Sequence, residues 1–242
     1  MKVAVGMPAY RCGRFFDTVA ASLYRLDPQP DLYLFAENNS PDNTLQKLKR
    51  FHRPKEVISF HLNPNEVKSY PGRYDIIGLV RQKILTRVRE LGIECLLFLD
   101  SDLLVITWDL INVLMAHEGD IIGGSYLRLF PQGVFTAALW PGDPFTLLSW
   151  PRLPFERVRA VGGGCMMLKS TILQDRRLNF FPVREASSED YGFCLDAEEF
   201  GYTCWLDGTV QLRHWLSPAH VDGKRWKVDP ETLKPLPFSY AG

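Results

Sequence analysis

The chain has 242 residues, of which 46% are hydrophobic and 23% charged, a length for one large domain and a composition ordinary for a globular protein. Disorder or coiled coil is excluded as a description of the whole, and 28 basic against 28 acidic residues leave no net field toward nucleic acid or an anionic membrane. Five scattered cysteines (Cys12, Cys95, Cys165, Cys194 and Cys204) form no C-x-x-C pair and read as buried, reduced thiols. The apolar start at Met1–Met7 is short for a signal peptide and no run of about 18 apolar residues occurs, so the expected location is cytoplasmic.

The first third alternates strand and helix. Val3–Met7 is a β-branched run closed by Pro8, and Arg14–Leu26 has helical spacing through Phe15, Val19, Leu23 and Leu26. Asp31–Ala36 predicts a second strand, Pro41–Phe51 a helix with proline near its first turn, and Val57–Phe60 a third strand. Tyr74–Leu91 predicts a long helix with Ile76, Val80, Ile84, Val88 and Leu91 on one face. Glu94–Leu99 is continuously apolar up to Asp100, as suits a central strand of a parallel sheet covered on both faces. Further on, Asp120–Gly124 reads as a strand and Pro131–Pro154 as a loop with room for a hairpin. Arg159–Leu168 is an apolar run interrupted by Gly162, Gly163 and Gly164, which lets another chain or a ligand approach the backbone. Ser188–Phe200 predicts a helix ended by Gly201, and Tyr202–Leu206 with Thr209–His214 a hairpin around Asp207-Gly208. The proline-rich tail after Ser217 is expected to wrap the surface or move.

Several constellations carry chemistry. Asp100-Ser101-Asp102 falls at the carboxyl end of a strand, where open α/β sheets bind ligands. In extended chain the two carboxylates would face one side about 5–6 Å apart, repelling by roughly 3 kcal/mol at an effective dielectric near 20. Mg²⁺ or Mn²⁺ would remove that penalty; the plainer use is a solvated strand end with a turn cap. Glu37 ends the second strand before the turn-forming run 38–44, and suits either a nucleoside contact or the following helix N-terminus. Ser187 and Asp190 fit an S-x-x-D capping box, while Asp190 shares a helical face with Cys194 and Ala197, where a general base would be held. His214 ends the last apolar strand and His220 follows in a loop, at a spacing that matches no standard zinc site. Arg81 on the long helix says nothing by itself.

In order along the chain, Val3-Ala-Val-Gly-Met-Pro-Ala-Tyr10, Phe35–Thr44, Val80-Arg81, Leu96–Asp102, Val161–Leu168, Ser188-Glu-Asp190, Gly201-Tyr202 and His214 resemble family-2-type glycosyltransferases of the GT-A fold. The resemblance implies an α/β, Rossmann-like single domain with a mostly parallel central sheet and helices on both faces. It would span residues 1–216, with a nucleotide-sugar half at 1–118, an acceptor and catalytic half at 119–216, and a tail at 217–242. It implies a metal-dependent, inverting transfer of a sugar, expected to be a hexose, from a nucleotide-diphosphate donor to an acceptor hydroxyl. Pro8, Tyr10 and Glu37 would hold the nucleoside and Arg81 the diphosphate. Asp100 and Ser101 would lie beside the ribose, and Gly163 and Gly164 under the donor sugar. Asp102 and His214 would hold Mn²⁺ or Mg²⁺, and Asp190 would be the base. Glu37-Asn38 stands where the family has paired aspartates, which leaves the nucleobase open, and Val80-Arg81-Gln82 stands where it has Ala-Arg-Asn, so there Arg81 matches and its neighbours do not.

Two other classes compete. A nucleotidyltransferase would share the sheet and acid pair, but the segment 7–13 lacks its glycine-rich phosphate loop. A non-catalytic sugar-binding module would use the tryptophans yet give no reason for both acid motifs. The expected partners are the donor and an acceptor glycan, glycoconjugate or other hydroxyl compound, with a nucleic-acid acceptor left open and no membrane span.

Overall fold

Side-chain alternation decides the architecture. The computed structural model describes residues 1–62, 73–128, 134–135, 154–184 and 187–214. The strands are β1 (Val3–Ala9), β2 (Leu32–Asn38), β3 (Lys55–Phe60), β4 (Cys95–Leu99), β5 (Leu103–Val105), β6 (Ile121–Arg128), β7 (Val134–Phe135), β8 (Phe155–Val158), β9 (Cys165–Lys169) and β10 (Cys204–His214). The helices are α1 (Phe16–Leu23), α2 (Thr44–Arg50), α3 (Arg73–Glu90), α4 (Leu110–Ala116), α5 (Ser170–Gln174) and α6 (Glu189–Glu199). Val5, Met7, Tyr33, Phe35, Leu97, Leu99 and Met167 leave one face of the sheet and meet α1, α2 and α4 through Phe16, Val19, Leu23, Leu48, Leu110 and Leu114. Ala4, Leu34, Ala36, Leu96, Phe98, Met166 and Leu168 leave the other face and meet α3, α5 and α6 through Val80, Ile84, Val88, Ile172, Phe193 and Ala197. Apolar residues on both faces oblige the sheet to be covered twice, and burying each large one contributes about 1.5–3 kcal/mol.

The main path of the sheet is β3-β2-β1-β4-β9-β6-β10-β5, with β7 beside β6 and β8 beside β10. β1, β2, β3, β4, β6 and β10 run one way, and β9 and β5 run against them. The fold is one α/β domain on a large, mostly parallel mixed sheet. All five cysteines are buried and free, as composition predicts. Among the described residues, no helix is long and apolar enough to cross a membrane.

Two local expectations change. The hairpin expected around Asp207-Gly208 is one continuous strand, β10, whose register with β6 shifts between Asp207 and Leu212. Asp207 is 1% exposed, and its carboxylate accepts from the Thr209 N–H at 2.7 Å, the Thr209 hydroxyl at 2.6 Å and the Val210 N–H at 3.3 Å. The side chain thus holds a bulge where Asp-Gly suggested a turn. The glycine run 162–164 precedes β9 as a turn instead of lying inside a strand. Most of the segment 131–154 and the tail beyond His214 lie outside the described residues.

Candidate active site

The candidate site lies at the carboxyl ends of β1, β2 and β4. Pro8 pairs with Ala36 across the β1–β2 ladder, and Tyr10 just beyond is 54% exposed with the Arg11 guanidinium 5.3 Å from its ring centroid. Glu37 is 3% exposed; one oxygen accepts from the Ser40 N–H at 2.5 Å and the other from the Ser59 hydroxyl at 3.0 Å. It therefore ties the turn after β2 to β3, and it also lines an open cleft of about 340 Å³ with Ser40, Asp42, Ser59, Phe60 and His61. Asp42 accepts from the Gly13 and Thr44 N–H groups and the Thr44 hydroxyl. Burial would raise its pKa, but those bonds outweigh burial and leave it below the ordinary value.

Asp100-Ser101-Asp102 is not extended. The Leu103 N–H bonds back to the Asp100 carbonyl at 3.1 Å, so the triplet is a tight turn between β4 and β5. The alternation argument that put both carboxylates on one side therefore does not apply to this backbone. Burial pushes the Cys12 thiol up to about 11, opposed by Thr44 and then by Ser101 of this turn. Asp102 directly precedes β5, and Leu103 of β5 is the register partner of His214 in β10. The backbone thus brings the His214 position beside Asp102, two segments more than 100 residues apart in sequence. His220 lies outside the described residues.

Arg81, expected at the diphosphate, is 2% exposed. Its Nη2 donates to Asp100 Oδ1 at 2.8 Å, Nη1 to the Gly163 carbonyl at 3.0 Å, and Nε to Glu189 Oε1 at 3.3 Å. Its guanidinium carbon also lies 5.1 Å from the Phe98 ring centroid. Burial alone would lower its pKa, but Asp100, Glu189 and Asp190 outweigh that and hold it above the ordinary value. The guanidinium is a hub, with the backbone of the glycine turn against it. A Cβ on Gly163 would lie 2.6 Å from Arg81 Cζ, and one on Gly164 would lie 2.6 Å from the Tyr126 hydroxyl oxygen and 3.1 Å from Asp100 Oδ2. The Gly164 N–H donates to Tyr126 Oη at 3.1 Å.

The start of α6 also differs from the capping-box expectation. Ser188, not Ser187, is the N-cap residue, and its hydroxyl donates to the Asp190 carboxylate. The same carboxylate accepts from the Gly163 N–H and the Tyr191 N–H, both at 2.8 Å. Asp190 is half-buried at the edge of the helix's buried face, which comprises Glu189, Gly192, Phe193, Cys194 and Ala197. Glu189 is the carboxylate that heads that face. Burial raises its pKa to about 7, Asp190 adds in the same direction, and Arg81 opposes both. Sequence reasoning passes over Tyr126 and weighs Glu189 only as the rival of Asp190 for the base, about 100° around the helix from it. Phe193 and Ala197 at i+4 and i+8 were the available signal for Glu189.

The site supplies hard oxygen donors in Asp100 and Asp102. Among the described residues no group of three or more His, Cys, Asp or Glu forms a closed metal cage. Mg²⁺ and Mn²⁺ suit such a set when one or two carboxylates are completed by substrate phosphates, so the residues fit a cation that arrives with its ligand.

No protein-family model matches the sequence, and no curated protein matches it. Solved structures do match. A197 from STIV has a TM-score of 0.54 at 14% identity, covering 96% of this chain and 92% of that one. TarS 1–349 from S. aureus in complex with UDP-GlcNAc gives 0.60 at 16%, covering 96% and 64%. The mannosyltransferase PcManGT from Pyrobaculum calidifontis in complex with GDP-Man and Mn2+ gives 0.62 at 14%, covering 89% and 57%. The chain spans about three-fifths of the last two, and what these likenesses carry is the fold.

Proposed function

We propose that the protein is a metal-dependent, inverting glycosyltransferase that moves a sugar, expected to be a hexose, from a nucleoside-diphosphate donor to an acceptor hydroxyl. The observation that carries this reading is the set of Asp100, Glu189 and Asp190 around Arg81 and the Gly163–Gly164 backbone, at the carboxyl ends of the strands. Folds shared with structures holding UDP-GlcNAc or GDP-Man support it.

In this reading Tyr10, Pro8 and Glu37 form the nucleoside end, with the exposed Tyr10 ring available for stacking. Asp102, with His214, would hold Mn²⁺ or Mg²⁺, which neutralises charge on the departing diphosphate when bound. Arg81, 2% exposed and bonded to Asp100, Glu189 and the Gly163 carbonyl, acts through Asp100 and the glycine turn. Gly163 and Gly164 keep side chains out of the space for the donor sugar, and Ser101 lies beside the ribose with Asp100. Asp190 takes the proton of the acceptor hydroxyl as its oxygen bonds to the anomeric carbon and the bond from that carbon to diphosphate breaks. Residues 1–118 serve the donor and 119–216 the acceptor, with 217–242 as a tail.

The test is proton NMR of turnover with UDP- and GDP-hexoses and Mn²⁺, using water or added glycans as acceptor. The expected product has the opposite anomeric configuration, and Asp190→Asn loses roughly 10²–10⁴ in rate while still binding donor. A retained configuration, or full activity in the variant, would overturn the assignment of the base.

A further inference from the structure

We propose that Glu189 is a positioning residue for Asp190: it fixes the Arg81 guanidinium, which holds Gly163, whose N–H in turn orients the Asp190 carboxylate. The inference rests on the reading of Asp190 as the base and goes beyond it by naming what aims that base.

The contacts form a closed circuit. Glu189 Oε1 accepts from Arg81 Nε at 3.3 Å, Arg81 Nη1 donates to the Gly163 carbonyl at 3.0 Å, and the Gly163 N–H donates to Asp190 Oδ2 at 2.8 Å. The peptide bond between Glu189 and Asp190 closes the ring. Successive helical residues point about 100° apart, so the first turn of α6 sends one carboxylate down to Arg81 and the other along the glycine turn. Glu189 is 5% exposed and reaches substrate only through these neighbours. α6 comes this near because α3 carries a glycine there: a Cβ on Gly78 would lie 2.9 Å from Val183 Cγ2 and 3.2 Å from Glu189 Cβ. Gly163 plays the matching part, since any side chain there would strike the guanidinium. Arg81 carries a branch to Asp100 Oδ1 at 2.8 Å, so the same strut sets the donor-side carboxylate against the base.

The charges agree with this geometry. Among the described residues, Arg81 from α3, Asp100 from the end of β4 and Asp190 on α6 itself are the charged groups that weigh most on Glu189. One guanidinium pairs with two carboxylates, Asp100 and Glu189, and of these groups only Arg81, at 2–3% exposure, is as deeply buried as Glu189. A fork with parallel donors can bridge two carboxylates and a carbonyl at once, which a lysine ammonium cannot do.

The experiment follows donor turnover and, separately, the Gly163 amide resonance by ¹⁵N NMR in the nucleotide-free protein. Glu189→Gln is expected to lower kcat about 10- to 100-fold, the scale of an ångström's misplacement of a reacting group, with donor KM within about twofold. Its Gly163 amide should move in the direction seen in Asp190→Asn, and the double variant should be no slower than Asp190→Asn alone. Arg81→Lys is the second variant, moving the same resonance if the glutamine variant folds poorly. Multiplying losses in the double variant, or a Gly163 amide unmoved in both Glu189→Gln and Arg81→Lys, would overturn the proposal. Because the amide is read without substrate, it decides the positioning link even if Asp190→Asn proves fully active and the base assignment falls.

Discussion

At the scale of single residues, burial and charge make Glu189 a source of pH dependence. Its pKa is about 7 in the fold against an ordinary 4.5, so between those values the folded protein binds more protons than the unfolded chain. Stability from this group is fully present below about pH 4.5 and is lost as pH rises through about 7, a fall of roughly 3 kcal/mol if the whole shift is expressed. Urea midpoints at pH 5 and pH 8 should show that fall in the wild type and much less of it in Glu189→Gln; equal falls in both would contradict the assignment. Gly164→Ala makes a second prediction. Its Cβ would meet Tyr126 and Asp100, so the variant should lose about 1–3 kcal/mol by overpacking and most of its turnover. The sequence singled out Asp100, Asp102 and Asp190 as candidates because strand ends and helix starts are where chemistry collects, and Arg81 only through the family resemblance. It did not reveal that Arg81 is buried, because a helical arginine pattern looks the same whether a second helix lies over it or water does.

Elements were legible in proportion to their length. β1, β2, β4, α3 and α6 carry enough apolar residues for a period to show, and each lies within a few residues of its expected place. β5, α5 and α4 have three, five and seven residues, too few for periodicity to stand out from chance. β10 was misread for another reason, since Asp-Gly is a strong hairpin signal until the aspartate side chain captures the backbone beyond it. Asp207 also meets His117 Nε2 at 2.6 Å, with that ring stacked on Phe155. Asp207→Ala would leave the buried Val210 N–H and the Thr209 groups without their acceptor. A loss of about 3 kcal/mol follows from one or two unsatisfied buried donors, measurable as a lower urea midpoint. An unchanged midpoint would show that the bulge holds itself.

For the whole molecule, the two-faced sheet sets both stability and the place of the site. Cys95–Leu99 is buried along its entire length at the middle of the sheet, whereas β3 ends the strand path and is half-exposed. Amide hydrogens of β4 should therefore exchange near the global unfolding limit and those of β3 orders of magnitude faster; similar protection in both would contradict the strand order. The sheet also gathers the turn after β4, the turn before β9 and the start of α6 at one end, which no single stretch of sequence displays. That gathering supports the proposal that this end of the sheet takes a nucleoside diphosphate with a divalent cation. Isothermal calorimetry with UDP and GDP, in the presence and absence of Mn²⁺, on the wild type and on Asp102→Ala, tests it most directly. Binding that requires Mn²⁺ in the wild type and disappears in a folded Asp102→Ala is the predicted result, and cation-independent binding of equal strength in both proteins would contradict it.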